Sequence, residues 1–125
     1  MKVLIATQKP FAAAAVKGIR EILEGAGHEV VLLEKYAEAK DLIDAVADVE
    51  AMIIRSDKVT PEVLDAAKKL KIVVRAGAGF DNVDLAAATA HGVVVENTPG
   101  QNANAVAELA IALMIFMSRN QFTPV

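Results

Sequence analysis

The chain has 125 residues, enough for one domain with a sizeable core, and its 54% apolar content includes only 4% aromatics, so that core must be aliphatic. A net charge of −3 and the lack of a basic run exclude a nucleic-acid surface. With no cysteine, disulfides, thiolate metal sites and cysteine nucleophiles are excluded too. The longest apolar run, Leu109 to Met117, is too short to span a bilayer. The amino terminus carries no signal-like pattern, so a cytoplasmic location is the default expectation.

Five continuous apolar runs recur along the chain: Val3 to Ala6, Val30 to Leu33, Met52 to Ile54, Ile72 to Val74 and Val93 to Val95. They are rich in Val and Ile and lack polar alternation, as strands covered on both faces do. Helical patterns alternate with them. Phe11 to Gly25 is the first, with Gly25 and Gly27 as its stop. Ala39 to Val46 is a shorter one. Thr60-Pro61-Glu62 starts a third, with Thr60 as N-cap and Pro61 at the first helical position, running to about Leu70. Asp84 to His91 is a fourth, ended by Gly92, and Asp81, Asn82 and Asp84 are its candidate N-caps. Asn102 to Ser118 reads as a helix apolar nearly all round, which must be buried in something. This alternation predicts an α/β domain: a flavodoxin-like five-stranded parallel sheet, order 2-1-3-4-5, with helices on both faces.

Such a sheet binds ligands outside the carboxyl ends of its strands. Those ends deliver Thr7, Gln8 and Lys9, then Glu34 and Lys35, then Arg55, Ser56 and Asp57, then Arg75, and last Glu96, Asn97 and Thr98. Arg75 is followed by Gly77-Ala78-Gly79, where glycines allow φ > 0 and bring backbone amides near a ligand. The third and fourth strands are neighbours, so Arg55 and Arg75 should be close, and paired guanidinium forks suit a carboxylate or a phosphate. The alternative is that each arginine pairs with a local acid, Asp57 or Asp81. The third glycine of the dinucleotide pattern G-x-G-x-x-G is replaced by Asn82, so no cofactor phosphate cradle is read here. His28 and His91 are assigned structural roles. No His–acid pair, serine nucleophile motif or metal-ligand spacing is read, which leaves an anion site without acid–base apparatus.

The stretch Arg75-Ala-Gly-Ala-Gly-Phe-Asp-Asn-Val-Asp84 resembles the signature of the D-2-hydroxyacid dehydrogenase family, most of all its phosphoglycerate-oxidising branch. Ile53-Ile-Arg-Ser56, Val59-Thr-Pro-Glu-Val-Leu64, Gly92-Val-Val-Val-Glu-Asn-Thr-Pro99 and Ala105 to Leu109 extend the resemblance over the whole chain in order. It implies a substrate-binding domain over residues 1–100 and a crossover helix over 101–120. That helix either folds back as the fifth helix or docks on a second copy, giving a swapped homodimer. The resemblance also implies that Arg55, Ser56, Arg75, Ala78 and Gly79 contact an anionic 2-hydroxy acid, and that Ala78 and Asn102 lie near the nicotinamide of NAD. The family's catalytic His, Glu and second-domain Arg, like its glycine fingerprint, find no match in these 125 residues. The chain is therefore expected to bind no NAD and to be inactive alone, its parent being an NAD-dependent dehydrogenase of serine biosynthesis. The competing expectation is a stand-alone flavodoxin-like scaffold or binding module. A phosphoacceptor or flavin version of it is disfavoured by Thr7-Gln8-Lys9 and Arg55 at the decisive strand ends.

Overall fold

The computed structural model describes residues 1–9, 11–77, 79, 81–98, 108 and 111–112. In chain order the elements are β1 (Lys2–Thr7), α1 (Ala13–Gly25), β2 (Glu29–Glu34), α2 (Ala39–Ala45), β3 (Ala51–Ile54), α3 (Pro61–Ala66), β4 (Ile72–Arg75), α4 (Leu85–Ala90) and β5 (Val94–Asn97). The five strands form one parallel sheet in the order β2-β1-β3-β4-β5. The expected topology is therefore the one observed.

The apolar runs divide by strand alternation into two core layers. Leu4, Ala6, Met52, Ile54 and Val73 face α2, α3 and α4, where they meet Leu42, Val46, Val63, Leu64 and Ala88. Val3, Ile5, Ile53, Ile72 and Val74 face the other way, onto Ile19 and Leu23 of α1. Ile111, which is helical, packs partly buried against this second layer. The rest of the predicted 102–118 helix lies outside the described residues, apart from the exposed Glu108 and Ala112. Two-sided burial holds for β1, β3 and β4, Lys2 and Arg75 aside, but not for β2 and β5, which are largely half-buried. The reason is position: β2 and β5 are the edges of the sheet.

Local signals set most of the helix ends. Thr60 accepts from the Val63 N–H at 3.4 Å, and Pro61 opens α3. Of the three candidate caps for α4, Asp84 performs the role, accepting from the Ala87 N–H at 2.9 Å. Gly27 (φ 90°) and Gly92 (φ 70°) turn the chain out of α1 and α4 in the left-handed region. Two ends differ from expectation. α1 starts at Ala13 because Ala12 is extended and Phe11 packs on the second core layer. α3 stops at Ala66 because Ala67 leaves helical geometry, and the following turn brings Leu70 back into the core.

Both histidines bridge elements away from the carboxyl edge. His28 Nδ1 lies 3.1 Å from the Met1 ammonium, and burial followed by that ammonium holds its pKa below the ordinary value. His91 Nε2 lies 2.8 Å from Asp65 Oδ1 and its Nδ1 2.8 Å from the Ala87 carbonyl. This is a His–acid pair the sequence reading did not foresee, created by packing α3 beside α4, and it is exposed. Among the described residues no helix is long and apolar enough to cross a membrane. Ile53 is fully buried under α1. Ile53→Ala should cost about 2–5 kcal/mol, seen as a lower urea midpoint at unchanged slope.

Candidate functional site

At the carboxyl edge the register pairs Ile54 with Arg75, so Arg55 follows one residue beyond the ladder. The two strand ends are neighbours as expected, but their side chains hold different partners. Arg55 Nη1 donates to the Lys9 carbonyl at 3.0 Å, and its guanidinium lies 5.4 Å from the centroid of the Phe11 ring. Arg55 thereby leans over the β1–α1 loop, with Ser56 exposed beside it. Arg75 Nε donates to Asn82 Oδ1 at 2.9 Å, in the β4–α4 loop.

Beneath the arginines sits Asp57, only 2% exposed. A buried carboxylate must have its oxygens satisfied. Oδ2 accepts from the Gln8 N–H at 2.8 Å and from the Tyr36 hydroxyl, and Oδ1 accepts from the Arg55 N–H at 3.2 Å. One side chain therefore ties the ends of β1, β2 and β3 together. Asp57 reaches Arg55 through the main chain, a role the paired-acid alternative did not contain. Burial, reinforced by the hydrogen bond to Asp57 and its charge, raises the Tyr36 pKa above the ordinary tyrosine value. Nearby, the Thr7 hydroxyl is buried without a hydrogen-bond partner among the described residues.

The glycine turn departs from expectation in one respect. Gly77 does not adopt positive φ, and its N–H is used internally, donating to the Arg75 carbonyl at 3.0 Å. That carbonyl also accepts from the Thr98 N–H at 3.0 Å and from Thr98 Oγ1 at 3.3 Å. What Gly77 supplies is space, since a Cβ there would overlap Arg75 Nη1. A Cβ on Gly79 would come within 2.7 Å of Asp81 Oδ1. Gly79 is partly exposed, while Ala78 and Asn102 lie outside the described residues.

Asn82 is the residue the sequence reading misplaced. Its Nδ2 donates to the carbonyls of Arg55 (3.1 Å) and Asp57 (2.7 Å) while its Oδ1 receives Arg75. Tyr36 and Thr98 were likewise unforeseen as partners, because both act on atoms more than twenty residues away. The one signal pointing to Asn82 was a polar residue where a dinucleotide fingerprint wants glycine. Among the described residues no cluster of three metal-ligating side chains forms. Among the described residues this edge carries two arginine side chains, the donor type that suits a carboxylate or a phosphate.

The family model for the D-isomer specific 2-hydroxyacid dehydrogenase catalytic domain matches residues 4–121. The chain belongs to that family. A D-3-phosphoglycerate dehydrogenase from Sus scrofa is 46% identical over 101 residues, 80% of this chain and 19% of the relative. One from Archaeoglobus fulgidus is 44% identical over 120 residues, 95% of this chain and 21% of the relative. The crystal structure of NAD+-bound 3-phosphoglycerate dehydrogenase from Entamoeba histolytica superposes with a TM-score of 0.80 at 54% identity, covering the whole chain and 41% of that protein. The chain thus spans about a fifth of the length of these curated relatives. The family resemblance read from Arg75 to Asp84 is confirmed, and so is the parallel α/β sheet of this dehydrogenase family.

Tyr36→Phe removes one donor from the buried Asp57 and should cost about 1–3 kcal/mol in chemical denaturation. It should also change the alkaline limb of stability. A folded-state pKa raised above the unfolded value of 10.0 gives stability that is complete below pH 10 and declines as pH rises past it. Urea titrations from pH 9 to 11 should show a shallower decline in Tyr36→Phe than in the native chain.

Proposed function

We propose that this chain is the substrate-binding part of an NAD-dependent D-3-phosphoglycerate dehydrogenase-like enzyme, and that it captures the anionic 2-hydroxy acid in serine biosynthesis. Residues 1–100 form the substrate-binding core, and residues 101–120 are the segment linking it to a nucleotide-binding half. The single observation that carries this reading is Arg75, held by Asn82 at the carboxyl edge of a fold 54% identical to an NAD+-bound 3-phosphoglycerate dehydrogenase. In this reading Arg75, Arg55, Ser56 and the amides around Ala78 and Gly79 receive the carboxylate and phosphate of the substrate. Guanidinium forks give bidentate, charge-assisted hydrogen bonds to such groups.

NAD accepts hydride when bound to the complete enzyme. Residues Ala78 and Asn102 of this chain are assigned to the wall facing it. The described residues contribute binding and orientation of the acid, and the proton-transferring groups belong to the other half.

Calorimetric titration of the chain with D-3-phosphoglycerate tests the proposal. Weak, saturable heat should appear at millimolar ligand, and Arg75→Ala should lower the affinity about tenfold or more. No heat from the native chain would refute substrate capture and favour a scaffold without a ligand. Added NAD should give no rise in NADH absorbance, and turnover by this chain alone would overturn the division of labour.

A further inference from the structure

We infer that Asn82, with Gly77, is a positioning residue that aims the Arg75 guanidinium before any ligand arrives; the ligand named in its test rests on the function proposed above. The orientation of the Asn82 amide follows from its partners. Both amide hydrogens are committed, one to the Arg55 carbonyl and one to the Asp57 carbonyl. Turning the amide over would set its oxygen against two carbonyl oxygens and its hydrogens against a guanidinium N–H. Oδ1 must therefore face Arg75 Nε, as it does at 2.9 Å.

Asn82 is itself fixed from behind. Its carbonyl accepts from the Val59 N–H at 2.9 Å, and the Val59 carbonyl accepts from the Asp84 N–H at 3.0 Å. Val59 and Val83 form an isolated parallel bridge, and both are buried. The Asp81-to-Asp84 turn is thus laced to the segment after β3, and the amide has no freedom to follow a moving arginine.

The second constraint is steric and independent. The Arg75 guanidinium occupies the volume where Gly77 would carry a Cβ. A planar group held at Nε on one edge and seated on a bare glycine has its plane and direction set together. Nε–H is spent on Asn82, so Nη1 and Nη2 are the donors left for an anion. A flexible four-torsion side chain then binds without first losing its rotamer freedom, which is the advantage of preorganisation. The same amide reports on the segment after β3, because the carbonyls it holds belong to Arg55 and Asp57.

The test needs one readout that ignores ligand and one that does not. In nitrogen-15 NMR of the native chain, the Arg75 Nε–H should exchange slowly with solvent. Asn82→Ala should restore fast exchange, with circular dichroism confirming that the variant is folded. An Nε–H that exchanges like a solvated arginine in the native chain would overturn the inference. Calorimetry with D-3-phosphoglycerate then forms a double-mutant cycle. Asn82→Ala should weaken binding about tenfold in the native background, but less than about twofold in Arg75→Lys, which lacks an Nε–H. Equal losses in both backgrounds would make Asn82 merely structural and sink the proposal. Gly77→Ala, which leaves both Asn82 Nδ2 hydrogen bonds in place but pushes the Arg75 guanidinium off its seat, should also weaken binding; unchanged affinity would remove Gly77 from it. Slow Nε–H exchange without any heat would support the positioning and refute the substrate assignment alone.

Discussion

A carboxylate buried at the mouth of a parallel sheet is the constraint around which the loops arrange themselves. Asp57 has to find donors, and the donors within reach belong to three different strand ends: the Gln8 amide, the Tyr36 hydroxyl and the Arg55 amide. Its own carbonyl then serves Asn82. Four of the five strand ends are thereby connected through two side chains, and Thr98 ties the fifth to β4 by taking the Arg75 carbonyl. The arginines stand on this network. Neither is positioned by its strand alone.

Parallel sheets make such an edge useful because topology decides which ends meet. β3 and β4 pair with Ile54 opposite Arg75, so Arg55, one residue further on, emerges from the same edge as Arg75. Divergence of their guanidiniums follows from what each finds. Arg55 meets the Phe11 face and the Lys9 carbonyl across β1, while Arg75 meets Asn82 and the space above Gly77. Two like charges are thus given different partners, which offsets their repulsion.

Much of this was legible in the chain. Unbroken Val- and Ile-rich runs gave the strands, and alternation with helical patterns gave the sheet order. Thr60-Pro61 gave the start of α3, and the strand ends gave the neighbouring places of Arg55 and Arg75. The misses share a cause. Asn82, Tyr36 and Thr98 act through hydrogen bonds to atoms 7 to 27 residues distant, which no local pattern encodes. Asn82 looked like a cap because caps are what local chemistry predicts for that residue type. Gly77 looked like a φ > 0 position because that is glycine's commonest role, whereas here it makes room for a side chain two residues back. The edge strands were read as fully covered because an apolar run does not say whether it has one neighbour or two.

The place of β1 in the sheet has a further consequence, for how the protein is made. Of these five strands β1 is synthesised before the others, and it comes to lie between β2 and β3, with a parallel partner on each side. Until both arrive, Val3 to Ala6 is a short, uncharged, β-prone segment with two open edges, the profile of an aggregation hazard. Lys2 and Lys9 bracket it with positive charge, as gatekeepers do. In the finished molecule Lys2 no longer guards anything. It is held by Asp48 at 2.7 Å, beside Glu29 at 3.8 Å, linking the starts of the very strands whose arrival ends the danger.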